Sequence, residues 1–541
     1  MKKIIVLFVF TSLFLTSCDE ELLTPFTPGA LTDDIAIQTS TDLRRLMNTS
    51  YGLMTNREEQ VFTSVFTDEV GIGYANGGQG ISDNWIFVVN QTSASPNSIW
   101  NRAYYALSRL NRVITYADRL TPVDAADAEA IARIKAEALV SRALCHLKIM
   151  SYYSPDPKDD GALAGILSDR IIPTTESNLP RVTNGAFYTL IHSDLDNAIA
   201  VFNSLVIPLL SSDPVFTTPT AYANKNLAKG LKARAYALKG DYTNAEIWAD
   251  DVIATSGIAL AASQVTYNQV FFTDLEPANT EVIFRLKRMP AQNTQDSNLH
   301  NGWASVRPNL NGSPFYEVGR SLHNILNPLN YTNVQLFAAI NTPTVDFRAR
   351  TIIAPTSIID PNYATSADYR NTDKIIINKH GGSATITGVT AANTAANSFN
   401  NDHKIMRISE MYLIKAEARV AAGDLAGAAN AVDAIRDKRF TTNQPTPVYA
   451  NATAAWKGIL DERRIEFAFE GYRYIDIKRL GTLAGISGVD RDPADYTSSS
   501  ANYPAANPVN LPLSSFKWAL PIGQDEINGN SDIVQNPGYG G

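Results

Sequence analysis

The chain has almost no cysteine: Cys18 and Cys145 are the only two in 541 residues. That permits at most one disulfide and excludes a CxxC metal or redox motif. Histidine is also sparse. His146, His192, His300, His323, His380 and His403 lie far apart, and none forms the HxxxH or HExxH spacing that puts two metal ligands on one helix face. No catalytic metal and no cofactor is expected. There is no aspartate-rich EF-hand loop, no GxSxG elbow and no Gly-Lys-Ser/Thr phosphate loop. Clustered positive charge is missing too, with 46 Lys+Arg against 54 Asp+Glu and a net charge of −8. Nucleic acid is therefore not an expected partner, because its binding depends on grouped cations that neutralise phosphates. What remains is 45% hydrophobic and 18% charged residues, the composition of an ordinary globular protein with a large core.

The one strongly apolar run lies at the start. Met1-Lys2-Lys3 precedes an uncharged, mostly apolar stretch from Ile4 to Leu15, then Thr16-Ser17-Cys18. The stretch is too short for a transmembrane helix of about 20 residues and reads as the core of a cleaved signal peptide over 1–17. The small residues before Cys18 resemble the lipobox of bacterial lipoproteins, which implies lipidation of Cys18 and anchoring by several acyl chains. Asp19-Glu20-Glu21 resembles the surface-export signal of Bacteroidetes lipoproteins, and residues 18–40, with Pro25 and Pro28, read as a flexible tether. Cys145 is left as a buried small hydrophobe.

Helical periodicity dominates from there on. Thr41–Met54 and Ile99–Leu120 place apolar residues three and four apart, Ala126–Tyr153 reads as a long alanine-rich helix stopped by Pro155, and a further helix is expected over Val182–Leu205 with Thr183 or Asn184 as its cap. Two segments resemble each other: Ala235-x4-Gly240-Asp241-x3-Ala245 and Ala418-x4-Gly423-Asp424-x3-Ala428. Each reads as a small-residue helix, a Gly-Asp turn and a second small-residue helix, the pairing of tetratricopeptide (TPR) type. The copies lie too far apart in sequence for a tandem array. Two stretches interrupt the helices: 66–98, whose glycine run (Gly71, Gly73, Gly77, Gly78 and Gly80) reads as a flexible loop, and 267–401, rich in Asn, Thr, Gly and Pro, which reads as long loops with a few strands. The expected fold is mainly α: TPR-like helix pairs forming one scaffold over 41–541, with a loop-rich, partly β ligand-binding face.

Several blocks then occur in order. Trp100-x3-Tyr104-x6-Asn111 and Glu137-Ala138-Leu139-x2-Arg142-Ala143 come early, followed by Leu179-Pro180-Arg181, Asp194-Leu195-x2-Ala198 and Glu281-Val282-Ile283-Phe284. Arg407 to Ala418, then Glu462-Arg463-Arg464-x-Glu466 through Glu470-Gly471-x-Arg473 to Asp476-x2-Arg479, and a tail ending Gln535-Asn536-Pro537-Gly538-Tyr539 complete the set. Together they resemble the SusD/RagB family of Bacteroidetes outer-membrane lipoproteins. The resemblance implies a surface-exposed, lipid-anchored protein that binds an oligosaccharide, or in the RagB branch a peptide, and delivers it to a SusC-like TonB-dependent transporter. It implies binding without catalysis. A glycoside hydrolase using paired acids, or a TPR-type adaptor for protein alone, are the competing readings. Against the hydrolase, the four acids Glu462, Glu466, Glu470 and Asp476 are interleaved with the four arginines Arg463, Arg464, Arg473 and Arg479 and read as ion pairs between helices.

A sugar site needs aromatic faces for pyranose C–H groups and planar polar groups for hydroxyl pairs. In the first loop the candidates are Asp68, Tyr74, Asn84 and Trp85, with Asn76, Gln79 and Phe87 beside them. In the second they are Trp303, Arg307, Tyr316 and Arg320, with Asn309, Asn311 and Phe315. Aromatic residues in Gly- or Asn-rich loops are favoured because core packing explains them less readily.

Overall fold

The computed structural model describes residues 33–540 except 56, 74–81, 177, 207–218, 273–279, 289–302, 304–313, 341, 367–371, 381–401, 490 and 497–507. The leader, Cys18 and most of the tether lie outside the described residues, as do Tyr74, Asn76, Gln79, Arg307, Asn309 and Asn311.

The scaffold is a succession of helices, each leaning on the next. Ser40–Met54 packs on Ala94–Ala117, which packs on Ala125–Tyr153, and Asn184–Ser204 follows against Lys225–Lys239. The predicted helices are present, with ends shifted by a few residues. The largest difference is at Arg181–Thr183, where a short strand pairs with Leu163–Ile166 before Thr183 caps the helix by accepting a hydrogen bond from the Ala186 N–H. The Ala125–Tyr153 helix buries residues all round over its second half, which is why its sequence reads as apolar rather than amphipathic.

Both Gly-Asp turns have the same construction. Gly240 at φ 83° and Gly423 at φ 80° end their helices in the left-handed region that glycine enters without a Cβ clash. The next residue then caps the following helix: Asp241 Oδ1 accepts from the Asn244 N–H at 3.1 Å, and Asp424 Oδ1 from the Gly427 N–H at 2.7 Å. The two hairpins, Lys225–Thr255 and Ile408–Arg436, sit side by side in space. Tyr242–Thr255 packs on Ile408–Ala421, and ion pairs of 2.5 Å (Arg419 to Glu246) and 2.8 Å (Lys415 to Asp250) cross the contact. Copies distant in sequence are neighbours in the scaffold.

Between them the chain builds the loop-rich region. This region is more regular than its composition suggests: short helices occur at Gln264–Phe272, Arg320–Leu326, Asn333–Ala339 and Arg348–Ile352. Among the described residues there are three two-stranded antiparallel sheets, pairing Val70–Ile72 with Tyr316–Val318, Leu163–Ile166 with Arg181–Thr183, and Val282–Leu286 with His403–Arg407.

Two apolar cores result. One runs through the scaffold helices, and the other gathers Val70, Trp85, Tyr267, Phe271, Trp303, Leu322, Ile353 and Phe469 beneath the loops. The boundary between them is charged. Arg407 lies 5.3 Å from the ring centre of Phe271 in the second core and 5.1 Å from that of Phe467 in the first. It pairs with Glu281, Glu466 and Glu470, all buried. Glu466 also takes Arg348 and Arg439, so three guanidinium groups surround one carboxylate. Bidentate arginine suits such a place because its fork is planar and its charge is permanent.

Candidate functional site

The two loops singled out in the sequence meet through one small sheet. Val70 pairs with Val318, Gly71 with Glu317 and Ile72 with Tyr316. The run of glycine at Gly71 and Gly73 is thus partly strand, and not wholly a flexible loop. Gly73 donates its N–H to the Phe315 carbonyl at 2.8 Å, and a Cβ there would stand 2.2 Å from the Pro314 oxygen. Only glycine permits that approach.

A third segment, Arg491–Tyr496, completes the junction. Arg491 lies over the Trp85 ring at 3.8 Å and donates to the carbonyls of Thr67 (2.8 Å), Trp85 (2.6 Å) and Val65 (2.8 Å). Trp85 in turn lies between Tyr316 and Tyr496, with ring centres 6.4 and 5.7 Å away. The tryptophan is buried, while both tyrosines are partly exposed. The result is a ledge of two tyrosine rings propped on a cation-backed tryptophan. The Tyr316 hydroxyl shares a 2.5 Å hydrogen bond with Ser82, and Asn84 donates to Ser95 Oγ at 3.1 Å, so the polar rim is already ordered. Phe87 adopts φ 58°, a strained value for a non-glycine residue, and is held by the same Arg491 at 4.3 Å.

The remaining candidates are placed differently from expectation. Asp68 is buried and bidentate with Arg473, both bonds at 2.7 Å. Burial opposes its charge, but Arg464 and Arg473 outweigh that cost and hold the carboxyl well below the usual carboxylate range. Trp85 and Trp303 have no exposed ring face; Trp303 stacks on His380 at 5.7 Å and meets Phe469 edge-on at 5.6 Å. Arg320 is fully buried, pairs with Asp373 and covers the Tyr363 ring at 3.9 Å. All four side chains are buried. Of the candidates within the described residues, Asn84, Phe315 and Tyr316 lie at the junction with part of their surface open.

Tyr496 and Arg491 escaped the sequence reading. The signal was Arg491-Asp492-Pro493-Ala494-Asp495-Tyr496, an Asp-Pro step that opens a short 3-10 helix between a cation and an aromatic, with Asp495 accepting the Arg320 N–H at 3.0 Å.

The acids of the paired-acid alternative sit in ion pairs. Glu462 and Glu466 share the Ala452–Glu466 helix, whereas Glu470 lies beyond its end. Each is buried against arginine or lysine. Glu69 is a different acid: burial pushes its carboxyl up to about 7, and Oε1 accepts the Phe469 N–H at 3.1 Å. It is completely buried and offers no surface to a substrate. Among the described residues, no group of three or more His, Cys, Asp or Glu side chains could hold a metal ion, and no helix is long and apolar enough to cross a membrane. The Cys145 thiol is buried, which pushes it up to about 12.

The family model described as "SusD family" matches residues 352–539, and that described as "Starch-binding associating with outer membrane" matches residues 32–236. A putative sugar binding protein from Bacteroides vulgatus is 21% identical, with a TM-score of 0.68 over 93% of this chain and 100% of its own. A SusD superfamily protein from Bacteroides thetaiotaomicron is 21% identical, with a TM-score of 0.67 over 92% of this chain and all of its own. A laminarin binding SusD-like protein is 20% identical, with a TM-score of 0.61 over 93% of this chain and 100% of its own. No curated protein matches the chain.

Proposed function

Because the chain belongs to the SusD family, whose two matched models span most of its length, we propose that it binds an oligosaccharide at the outer membrane and passes it to a SusC-like TonB-dependent transporter. In this reading a leader ends at Ser17, lipidated Cys18 anchors the protein, a tether runs to residue 40, and the SusD-like unit faces the cell exterior. The supporting observation is the Tyr316–Trp85–Tyr496 ledge at the meeting point of both candidate loops. Two partly open tyrosine rings stack on pyranose C–H faces, while Ser82 and Asn84 at the rim bond to hydroxyls. Asp68, Trp85, Trp303 and Arg320 hold the ledge in shape. Tyr74 and Arg307, from the adjoining stretches of the two loops, supply further ligand contacts. Laminarin, the ligand named for one structural relative, is a first probe.

The test is calorimetric titration of the lipid-free protein with laminarin- and starch-derived oligosaccharides and with a peptide panel. Tyr316→Ala and Tyr496→Ala are each expected to weaken glycan binding by about tenfold, which is ~1.4 kcal/mol and typical of one aromatic contact, with the melting temperature within about 2 °C of the parent. Unchanged affinity in both variants would remove the ledge from the site. Binding of peptides and no glycan would replace the oligosaccharide with the RagB-type ligand.

A further inference from the structure

The scaffold contains a cavity of about 130 Å³, lined by none of the side chains described at the loop junction. Its walls come from the helices Ala94–Ala117, Ala125–Tyr153, Lys225–Lys239 and Ile408–Ala421, with the His403–Arg407 strand at one side. Most of the wall is apolar, including Ile99, Leu144, Leu147, Leu238 and Ile414. Arg102, Lys148, His403 and Lys404 also line it, as do four acids, each already paired: Glu59 with Lys148 at 2.6 Å, Glu410 with Arg234, Glu470 with Arg407 and Asp476 with Arg463.

His403 gives the cavity its chemistry. Its side chain is 4% exposed, and Nδ1 has no hydrogen-bond partner among the described residues. A buried ring nitrogen without a partner costs free energy that a bound polar group would recover. Burial, and after it the neighbouring charges of Lys148, Arg288 and Lys404, keep the imidazole neutral. Lys148 and Lys404 stand in the cavity wall beside it and favour an anion, which would accept from the ring N–H.

Leu53, Arg102 and Lys148 are partly exposed at the rim, so the cavity can be entered from solvent. Its volume is close to that of an apolar cavity of ~150 Å³ known to hold benzene. We propose that this cavity is a second ligand site, taking a compact organic carboxylate with its hydrocarbon body among the leucines and its carboxylate at His403 and Lys148. The ligand class differs from the carbohydrate of the loop junction, so the two sites stand or fall separately.

The probe is benzoate, with benzyl alcohol as its uncharged counterpart, titrated calorimetrically into the full chain. A Kd for benzoate of about 1 mM or tighter is expected, with benzyl alcohol at least about fivefold weaker. Ala103 lines the cavity, so Ala103→Leu should fill it and weaken benzoate at least about tenfold, while His403→Leu should erase the preference over benzyl alcohol. Melting curves check that each variant folds, and Leu238→Phe replaces Ala103→Leu if that variant does not. Cys145 also lines the cavity, and benzoate should slow its labelling by a small neutral thiol reagent, read by peptide mass spectrometry. Benzoate binding absent at 10-fold the expected Kd of about 1 mM, equal binding of both probes, or full binding in the filled variant overturns the proposal.

Discussion

Glu466→Gln tests whether the charged boundary between the two cores is structural. The carboxylate is fully buried, and Oε1 accepts from Arg407 at 2.7 Å and Arg439 at 2.8 Å. Oε2 accepts from Arg348 at 2.9 Å and Arg439 at 3.0 Å. Burial alone would raise its pKa, but Arg439 and Arg407 outweigh burial and hold it well below the ordinary carboxylate range. A glutamine can keep the bonds at one oxygen, while its amide nitrogen faces donors at the other. Two charge-assisted hydrogen bonds at about 1.5–3 kcal/mol each are lost, consistent with about 3–5 kcal/mol for breaking a buried ion pair. At ~2 cal/mol/K per residue, a cooperative unit of about 500 residues loses about 3–5 °C in melting temperature. Scanning calorimetry reads this directly. The control is Glu246→Gln, whose pair with Arg419 is partly solvent-exposed (side chains 21% and 37%) and is worth less than about 1 kcal/mol. The structural account is refuted if Glu466→Gln melts within about 1 °C of the parent, or if it abolishes a glycan hydrolysis that the parent performs while the melting curve stands still.

Glu69→Gln should change how stability depends on pH. The folded carboxyl, raised by burial from 4.5 to about 7, holds its proton where the unfolded one has lost it, so the parent loses stability as pH rises from 4.5 to 7. The variant should flatten that slope, which amounts to ~3 kcal/mol over the window; denaturant midpoints at successive pH values measure it, and parallel curves would refute the assignment. Arg491→Met removes three carbonyl contacts and the cation over Trp85, so amide exchange in 82–90 should accelerate at least about tenfold while the scaffold helices keep their protection. Equal exchange would mean the loop is held by other groups. Cys18→Ser should move the protein from the membrane fraction to the soluble one, and retention there would remove the lipid anchor from the proposal.

The parts legible in the sequence were those whose cause is local. Gly240-Asp241 and Gly423-Asp424 announce a left-handed helix end and a side-chain cap within two residues, and both turns have that form. Interleaved acids and arginines around Glu466 announced pairing, although not that one carboxylate serves three arginines from separate segments. Long-range packing was the hidden part. Trp85 and Trp303 stand in polar, glycine-rich surroundings and looked unpacked, yet their partners are Arg491 and His380, far along the chain. The short helices between Gln264 and Ile352 span too few turns for an apolar period to show. Asp68 looked like a hydroxyl-binding acid because nothing near it in sequence reveals Arg473.

The adjacency of the two Gly-Asp hairpins has a consequence for how this protein can diversify. The chain leaves the scaffold at Thr255 and rejoins it at Ile408, on the helix that packs against the one it left. Everything between is an excursion whose ends are clamped together by helix packing and the Arg419–Glu246 and Lys415–Asp250 bridges. Closing such an excursion costs only about 0.6 kcal/mol more for each doubling of its length. Insertions and deletions in its loops therefore leave the helical frame nearly unburdened as long as Ile283, Phe284, Glu281, Arg348 and Arg407, which pack or pair with that frame, are kept, so new ligand preferences can be tried on one unchanged support.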